Sequence, residues 1–155
     1  MTKFTVHSSQ FTVFSSRFIK RGGTLQDYTK LKVWEKAHAM VLLVYECTDP
    51  FPKSELYGLV SQMRRAAMSI SMNIVEGSGR STNKEFAHFL SISFGSASEL
   101  QYQLLVAGDL KFLSAAKYQS LNGGCAEIKR MLAGLMERVR FPEAPLSRSA
   151  ADCEL

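Results

Sequence analysis

Cysteine is scarce and poorly placed for bonding. The chain has three, Cys47, Cys125 and Cys153, an odd number lying far apart, with no Cys-x-x-Cys and no histidine at zinc-ligand spacing. Neither a disulfide framework nor a zinc site is supported, and a reduced setting fits. Long apolar runs are also missing: none approaches the roughly 18 residues that a membrane-spanning helix needs, and the N-terminus lacks the continuous apolar core of a signal peptide. The expectation is a cytoplasmic protein with no membrane partner. Gly-x-Ser-x-Gly, the phosphate-binding glycine loop and the dinucleotide fingerprint are absent. Gly77-Ser78-Gly79 follows a helical pattern rather than a strand, so it reads as a tight turn. No residue set for an enzyme or a cofactor emerges.

Nor is there a strong excess of charge of one sign. Nineteen Lys and Arg against 14 Asp and Glu give +5 over 155 residues. Residues 1–30 carry five basic and one acidic side chain, residues 31–140 thirteen and ten, and residues 141–155 one and three. The central part is thus mildly basic, which is compatible with weak nucleic-acid binding and equally with an ordinary solvated surface. A chain of this length builds one domain with a real core.

What the chain does have is helical periodicity. Residues 1–27 mix Ser and Thr with scattered Phe4, Phe11, Phe14 and Phe18 and read as a poorly ordered arm. A first helix is predicted from Leu31 to Thr48 on the stripe Trp34, Ala37, Val41, Val44, Thr48, stopped by Asp49-Pro50-Phe51-Pro52. A second is predicted from a Ser54 cap to Glu76, with Leu56, Leu59, Met63, Ala67, Ile70 and Ile74 inward and Gly77 as the left-handed terminator. Thr82-Asn83-Lys84-Glu85 matches a capping box, opening a third helix that reaches about Leu110 on the seam Phe86, Leu90, Ser93, Ala97, Leu100, Leu104, Ala107. A fourth follows Ser114, with Leu121, Cys125, Ile128, Leu132, Leu135 and Val139 inward, and closes at Phe141-Pro142. Short connections make each helix antiparallel to the next, so the predicted fold is all-α: an up-down-up-down four-helix bundle over 28–141 with a tail at 142–155. Met40, Leu43, Ile92, Tyr102 and Val106 fall off the four stripes, and burial of some of them against a second subunit would account for them.

Two Glu-x-x-His sequences, Glu35…His38 and Glu85…His88, imitate the ligands of di-iron bundles, but their helical facing fails. They read as solvated side chains and a cap, so no metal is expected. Antiparallel pairing of the second and third helices brings Arg65 level with Glu99 and predicts an ion pair there, within a structural polar set that includes Asn73 and Glu76. Arg64, Arg80 and Lys84 are left without partners. They form either a patch that contacts phosphates or a solvated face.

The ordered motifs carry a family resemblance: Leu31-x-Val33-Trp34-x-x-Ala37, Phe51-Pro52-x-x-Glu55-x-Tyr57-Gly58-Leu59, Gln62-Met63-Arg64-Arg65-Ala66-Ala67-x-Ser69-Ile70, Asn73-Ile74-x-Glu76-Gly77, Phe89-Leu90 and Gly95-Ser96-x-Ser98-Glu99-Leu100. Over about 28–139 the chain resembles the bacterial four-helix bundle proteins related to those encoded by intervening sequences of 23S rRNA genes, which include the accessory variability determinant proteins of diversity-generating retroelements. Ser71 stands where the resemblance leads one to expect proline, and Gln101 where it leads one to expect a second glutamate. The resemblance implies a cytoplasmic, non-enzymatic homo-oligomer, a pentameric ring. For some relatives it also implies a basic surface that binds RNA or DNA, and a reverse transcriptase as partner. A structural oligomer or protein adaptor without nucleic-acid affinity is the competing reading.

Overall fold

The computed structural model describes residues 26–142. The expected N-terminal arm up to residue 25, the tail beyond Pro142 and Cys153 lie outside the described residues. Four helices, α1 (Lys32–Thr48), α2 (Leu59–Ser78), α3 (Asn83–Asp109) and α4 (Ala115–Arg140), are preceded and interrupted by two 3-10 turns, Tyr28–Lys30 and Lys53–Glu55. Each helix packs on the next in sequence and α1 closes on α4, with no close backbone approach across the diagonals α1 to α3 and α2 to α4. That pattern, with short connections, is the expected antiparallel up-down-up-down bundle. The Gln26 amide donates to the Ser78 carbonyl at 3.1 Å and ties the chain entering α1 to the end of α2.

The heptad seam of α3 is buried throughout, and Leu90, Ala97, Leu100, Leu104 and Ala107 are fully so. Opposite it, Met63, Ala67, Ile70 and Ile74 of α2 are also fully buried. The one polar member of the α3 seam is satisfied across the interface: Ser93 Oγ donates to the Ile70 carbonyl at 2.8 Å, bonding α3 to the backbone of α2. The capping box at α3 forms as predicted, with Thr82 Oγ1 accepting from the Glu85 amide at 3.2 Å and donating to Glu85 Oε2 at 2.7 Å. Ser114 caps α4 by accepting from the Lys117 amide at 3.3 Å.

Three local expectations are corrected. α2 does not start at a Ser54 cap. The chain makes a 3-10 turn after Pro52, turns again at Gly58, and enters the helix at Leu59, whose amide donates to Glu55 Oε2 at 3.3 Å. Leu56 therefore precedes the helix and stands 47% exposed. Nor does Gly77 end α2 in a left-handed conformation. It lies buried within the helix, because a Cβ there would come 2.8 Å from both Phe86 Cδ2 and Phe89 Cβ of α3. Its role is close approach of two helices. Lastly, Met40 is a core residue, its tip occupying the space that a side chain on Gly124 of α4 would need.

α3 ends on a left-handed residue that is not glycine. Lys111 has φ 62°, its amide donates to the Gly108 carbonyl at 3.0 Å, and the Phe112 amide donates to the Ala107 carbonyl at 2.9 Å. These are the two bonds of a Schellman motif. A Cβ in that region costs about 1 kcal/mol relative to glycine. Lys111→Gly is therefore expected to raise the urea midpoint by an amount equivalent to roughly 0.5–1 kcal/mol, and an unchanged or lower midpoint would show that Lys111 makes a compensating contact.

Candidate nucleic-acid interface

The side chains singled out as a phosphate patch are not brought together. Arg64 lies in the second turn of α2 and Arg80 two residues beyond its last residue, Ser78, with about 21 Å of helix between them at the rise of roughly 1.5 Å per residue. Arg64, one residue beyond the buried Met63, points to the α1 edge, where its Nε donates to Thr48 Oγ1 at 2.9 Å and its guanidinium lies 4.7 Å from the centre of the Tyr45 ring. Arg80 pairs with Glu76 one turn back and lies 4.8 Å over the Phe89 ring. Only Lys84 is left exposed as expected.

The polar set is also redistributed. Arg65 is level with α3 residues near Glu99, as the antiparallel register requires, but two residues beyond Met63 it faces outward and donates to Gln62 Oε1 at 2.9 Å. Glu99 is exposed, and among the described residues no ion pair joins it to Arg65. Asn73 instead donates to the Ser69 carbonyl at 2.7 Å, beside the 2.9 Å Ser69–Ser96 hydroxyl contact that bridges α2 and α3. The register was legible in the sequence; the rotation about the helix axis defeated the pair.

Cations do converge elsewhere, along the seam between α3 and α4. Two cavities open there. One, of about 390 Å³, lies where α3 begins and α4 ends and is lined by Lys84, His88, Ser91 and Arg140 among others. The other, of about 330 Å³, lies further along and is lined by Phe94, Gln101, Ala126, Lys129, Arg130 and Ala133. Neither lining contains an Asp or Glu. Small residues at Ala87, Ser91, Ala126 and Ala133 keep the seam open. In its middle, Lys129 Nζ donates to Gln101 Oε1 at 3.2 Å and lies 5.1 Å from the centre of the Phe94 ring, while Gln101 Nε2 donates to Asn122 Oδ1 at 2.8 Å. A glutamate at position 101 would neutralise Lys129. The glutamine orients the ammonium and leaves its charge in place.

His88, Lys129, Arg130 and Arg140 were missed by the sequence reading. Lys84 and His88 stand one turn apart at the start of α3, and Lys129 and Arg130 directly follow the buried Ile128 on α4. That spacing was available, but which flank of each helix meets the other depends on packing.

The remaining candidates have structural occupations. Glu35 accepts from Lys32 Nζ at 3.1 Å, and the His38 ring stacks on Trp34 at 5.4 Å. Glu85 is engaged in the cap, and His88 lies edge-on to Phe89 at 5.9 Å. Among the described residues no group of three or more His, Cys, Asp or Glu side chains is placed to hold a metal ion. Burial pushes the Cys125 thiol up to about 12 and raises that of Cys47, so Cys125 carries no appreciable thiolate at neutral pH. Among the described residues no helix is long and apolar enough to cross a membrane.

The family model for 23S rRNA-intervening sequence proteins matches residues 29–134, from the turn before α1 to the last third of α4. The chain belongs to that family. A solved structure from the S23 ribosomal protein family, a protein of unknown function from Bacteroides thetaiotaomicron VPI-5482, aligns with a TM-score of 0.62 at 22% identity over 68% of this chain and 95% of that one. At that identity the likeness supports the fold. No curated protein matches the chain. Within this family fold, the α3–α4 seam carries the charge pattern that distinguishes one flank of the bundle from the others.

Proposed function

We propose that this family member is a non-enzymatic, cytoplasmic assembly protein that associates with RNA or DNA through the α3–α4 seam. The observation that carries the reading is a groove to which Lys84, Lys129, Arg130 and Arg140 contribute charge without a carboxylate in the lining, with the partly buried Phe94 ring between them. Phosphate contacts of this kind position a strand, and an aromatic edge tolerates any base. Met72 and Tyr102, 60% and 68% exposed on the outer face of α2 and α3, supply apolar surface for self-association. A ring of subunits, a pentamer on the family resemblance, repeats the groove and raises avidity. A reverse transcriptase is the protein partner that the same resemblance brings. A second reading, a protein adaptor without nucleic-acid affinity, is favoured by Tyr57, which stands 90% exposed beside the exposed Leu56.

Fluorescence anisotropy with a labelled single strand separates the two. Four phosphate contacts per subunit give a slope of log affinity against log salt of roughly −3, a loss of about fiftyfold between 50 and 200 mM. In Lys129→Gln/Arg130→Gln the slope is expected to fall by about half, whereas Arg64→Gln, at the far end of α2, leaves it unchanged. Light scattering on the same samples is expected to give a multiple of the 17.3 kDa chain mass. No binding at 50 mM salt selects the adaptor, and an unchanged slope in the double variant places the phosphate contacts away from the α3–α4 seam.

A further inference from the structure

The two cavities along the seam differ in what they offer a phosphate. In the middle, Lys129 is already bonded to Gln101 and held over Phe94, which leaves Arg130 as the freer charge and suits the single negative charge of a phosphodiester. At the end of the bundle, Lys84 and His88 from α3 and Arg140 from α4 converge on one cavity of about 390 Å³, with Ser91 adding a hydroxyl. The nearby carboxylates do not neutralise them. Glu85 is turned to its capping bond with Thr82, and Glu137 lines a different cavity with Gly134, Arg138 and Phe141. Among the described residues no ion pair holds Lys84, His88 or Arg140.

We propose that this end cavity receives a terminal phosphomonoester, so that the groove prefers a single strand whose end carries a phosphate. A terminal monoester carries a charge of about −1.5 to −2 and three acceptor oxygens, against −1 and two free oxygens for a phosphate within the strand. Donors from two helices meeting on one cavity match the richer acceptor. Arg140 and Arg130 lie about 15 Å apart along α4, the reach of two to three nucleotides, so one strand end engages both cavities. The inference rests on the seam being the nucleic-acid surface.

The test uses the full-length protein and three labelled 12-nucleotide RNAs of one sequence, bearing a 5′-phosphate, a 3′-phosphate or hydroxyls at both ends, with inorganic phosphate as competitor. One of the phosphorylated strands is expected to bind about tenfold or more tightly than the hydroxyl strand, the worth of one added charge-assisted hydrogen bond. Lys84→Gln/Arg140→Gln, both exposed positions, should abolish that preference while keeping the helical circular dichroism and assembled mass. Lys129→Gln/Arg130→Gln should weaken all three strands alike. Inorganic phosphate should erase the preference before it displaces the hydroxyl strand. Equal affinity of wild type for all three strands, or a preference that survives Lys84→Gln/Arg140→Gln, overturns the end site and leaves the groove standing. Absence of binding by any strand at 50 mM salt overturns the groove itself.

Discussion

Gly77→Ala is expected to destabilise the bundle by about 2 kcal/mol, although alanine is the better helix former by about 1 kcal/mol. The reason is the approach of α3: a methyl on Gly77 would lie 2.8 Å from Phe86 Cδ2 and 2.8 Å from Phe89 Cβ. The Phe86 ring could yield by changing rotamer. Phe89 Cβ is fixed to the backbone of α3 and moves only with that helix. Overpacking of this kind costs about 1–3 kcal/mol, and the presence of a backbone-anchored neighbour places the clash at the upper end. Gly134 of α4 makes the matched comparison, because nothing lies within 4 Å of its Cβ position. Gly134→Ala is expected to stabilise by up to about 1 kcal/mol through propensity alone. Urea denaturation of the two variants should therefore move the midpoint in opposite directions. If both rise, the α2–α3 hairpin is not as close as described.

Arg64→Ala is expected to destabilise by about 2 kcal/mol and Arg65→Ala by less than about 0.5. The sequence reading leads to the reverse order. Arg64 connects α2 to the last turn of α1 twice, through its 2.9 Å bond to Thr48 Oγ1 and through its position over Tyr45. A hydrogen bond from a charged donor contributes about 1.5–3 kcal/mol and a partly exposed cation–π contact about 0.5–1, not fully additive. Thr48 is 2% exposed, and its hydroxyl also donates within α1 to the Val44 carbonyl at 2.8 Å, so its loss of Arg64 strands only an acceptor lone pair. That tempers the sum. Arg65 makes one exposed bond within its own helix, to Gln62, and leaves nothing buried behind when removed. Urea midpoints for the two variants decide it. Equal midpoints would mean that the Arg64–Thr48 contact contributes nothing net.

The consequence for nucleic-acid binding follows from the same geometry. Arg64 and Arg80 hold the bundle together, one at the α1–α2 edge and one at the α2–α3 hairpin. A charge committed to a neighbour is a poor phosphate ligand, because binding must first break the existing contact. The cations on the α3–α4 seam carry less of that burden: among the described residues Lys129 bonds across it to the neutral Gln101, and Lys84, Arg130 and Arg140 form no ion pair.

Periodicity and cap chemistry placed the four helices and most of their inward faces, with Leu56 and Met40 the exceptions. The α3 seam and its capping box, the α4 stripe and the Ser114 cap follow from periods of three and four and from local cap chemistry, which are properties of residues near one another in the chain. The motifs were equally sufficient for family membership. The tertiary structure decided everything that depends on rotation of one helix against another. Met40 enters the core only because Gly124 on α4 leaves it room, and Gly77 is required by Phe86 and Phe89 rather than by its own turn. Arg65 and Glu99 share a level without meeting, whereas Lys84, His88, Arg130 and Arg140, scattered over 57 residues of sequence, line one seam. A helical period fixes which side of a helix is apolar, but its two flanks stand about 100° to either side of it, one residue before or after an inward position, and the period does not say which flank meets which neighbouring helix. Only the packed neighbours select the flank, and with it the residues that a ligand can reach together.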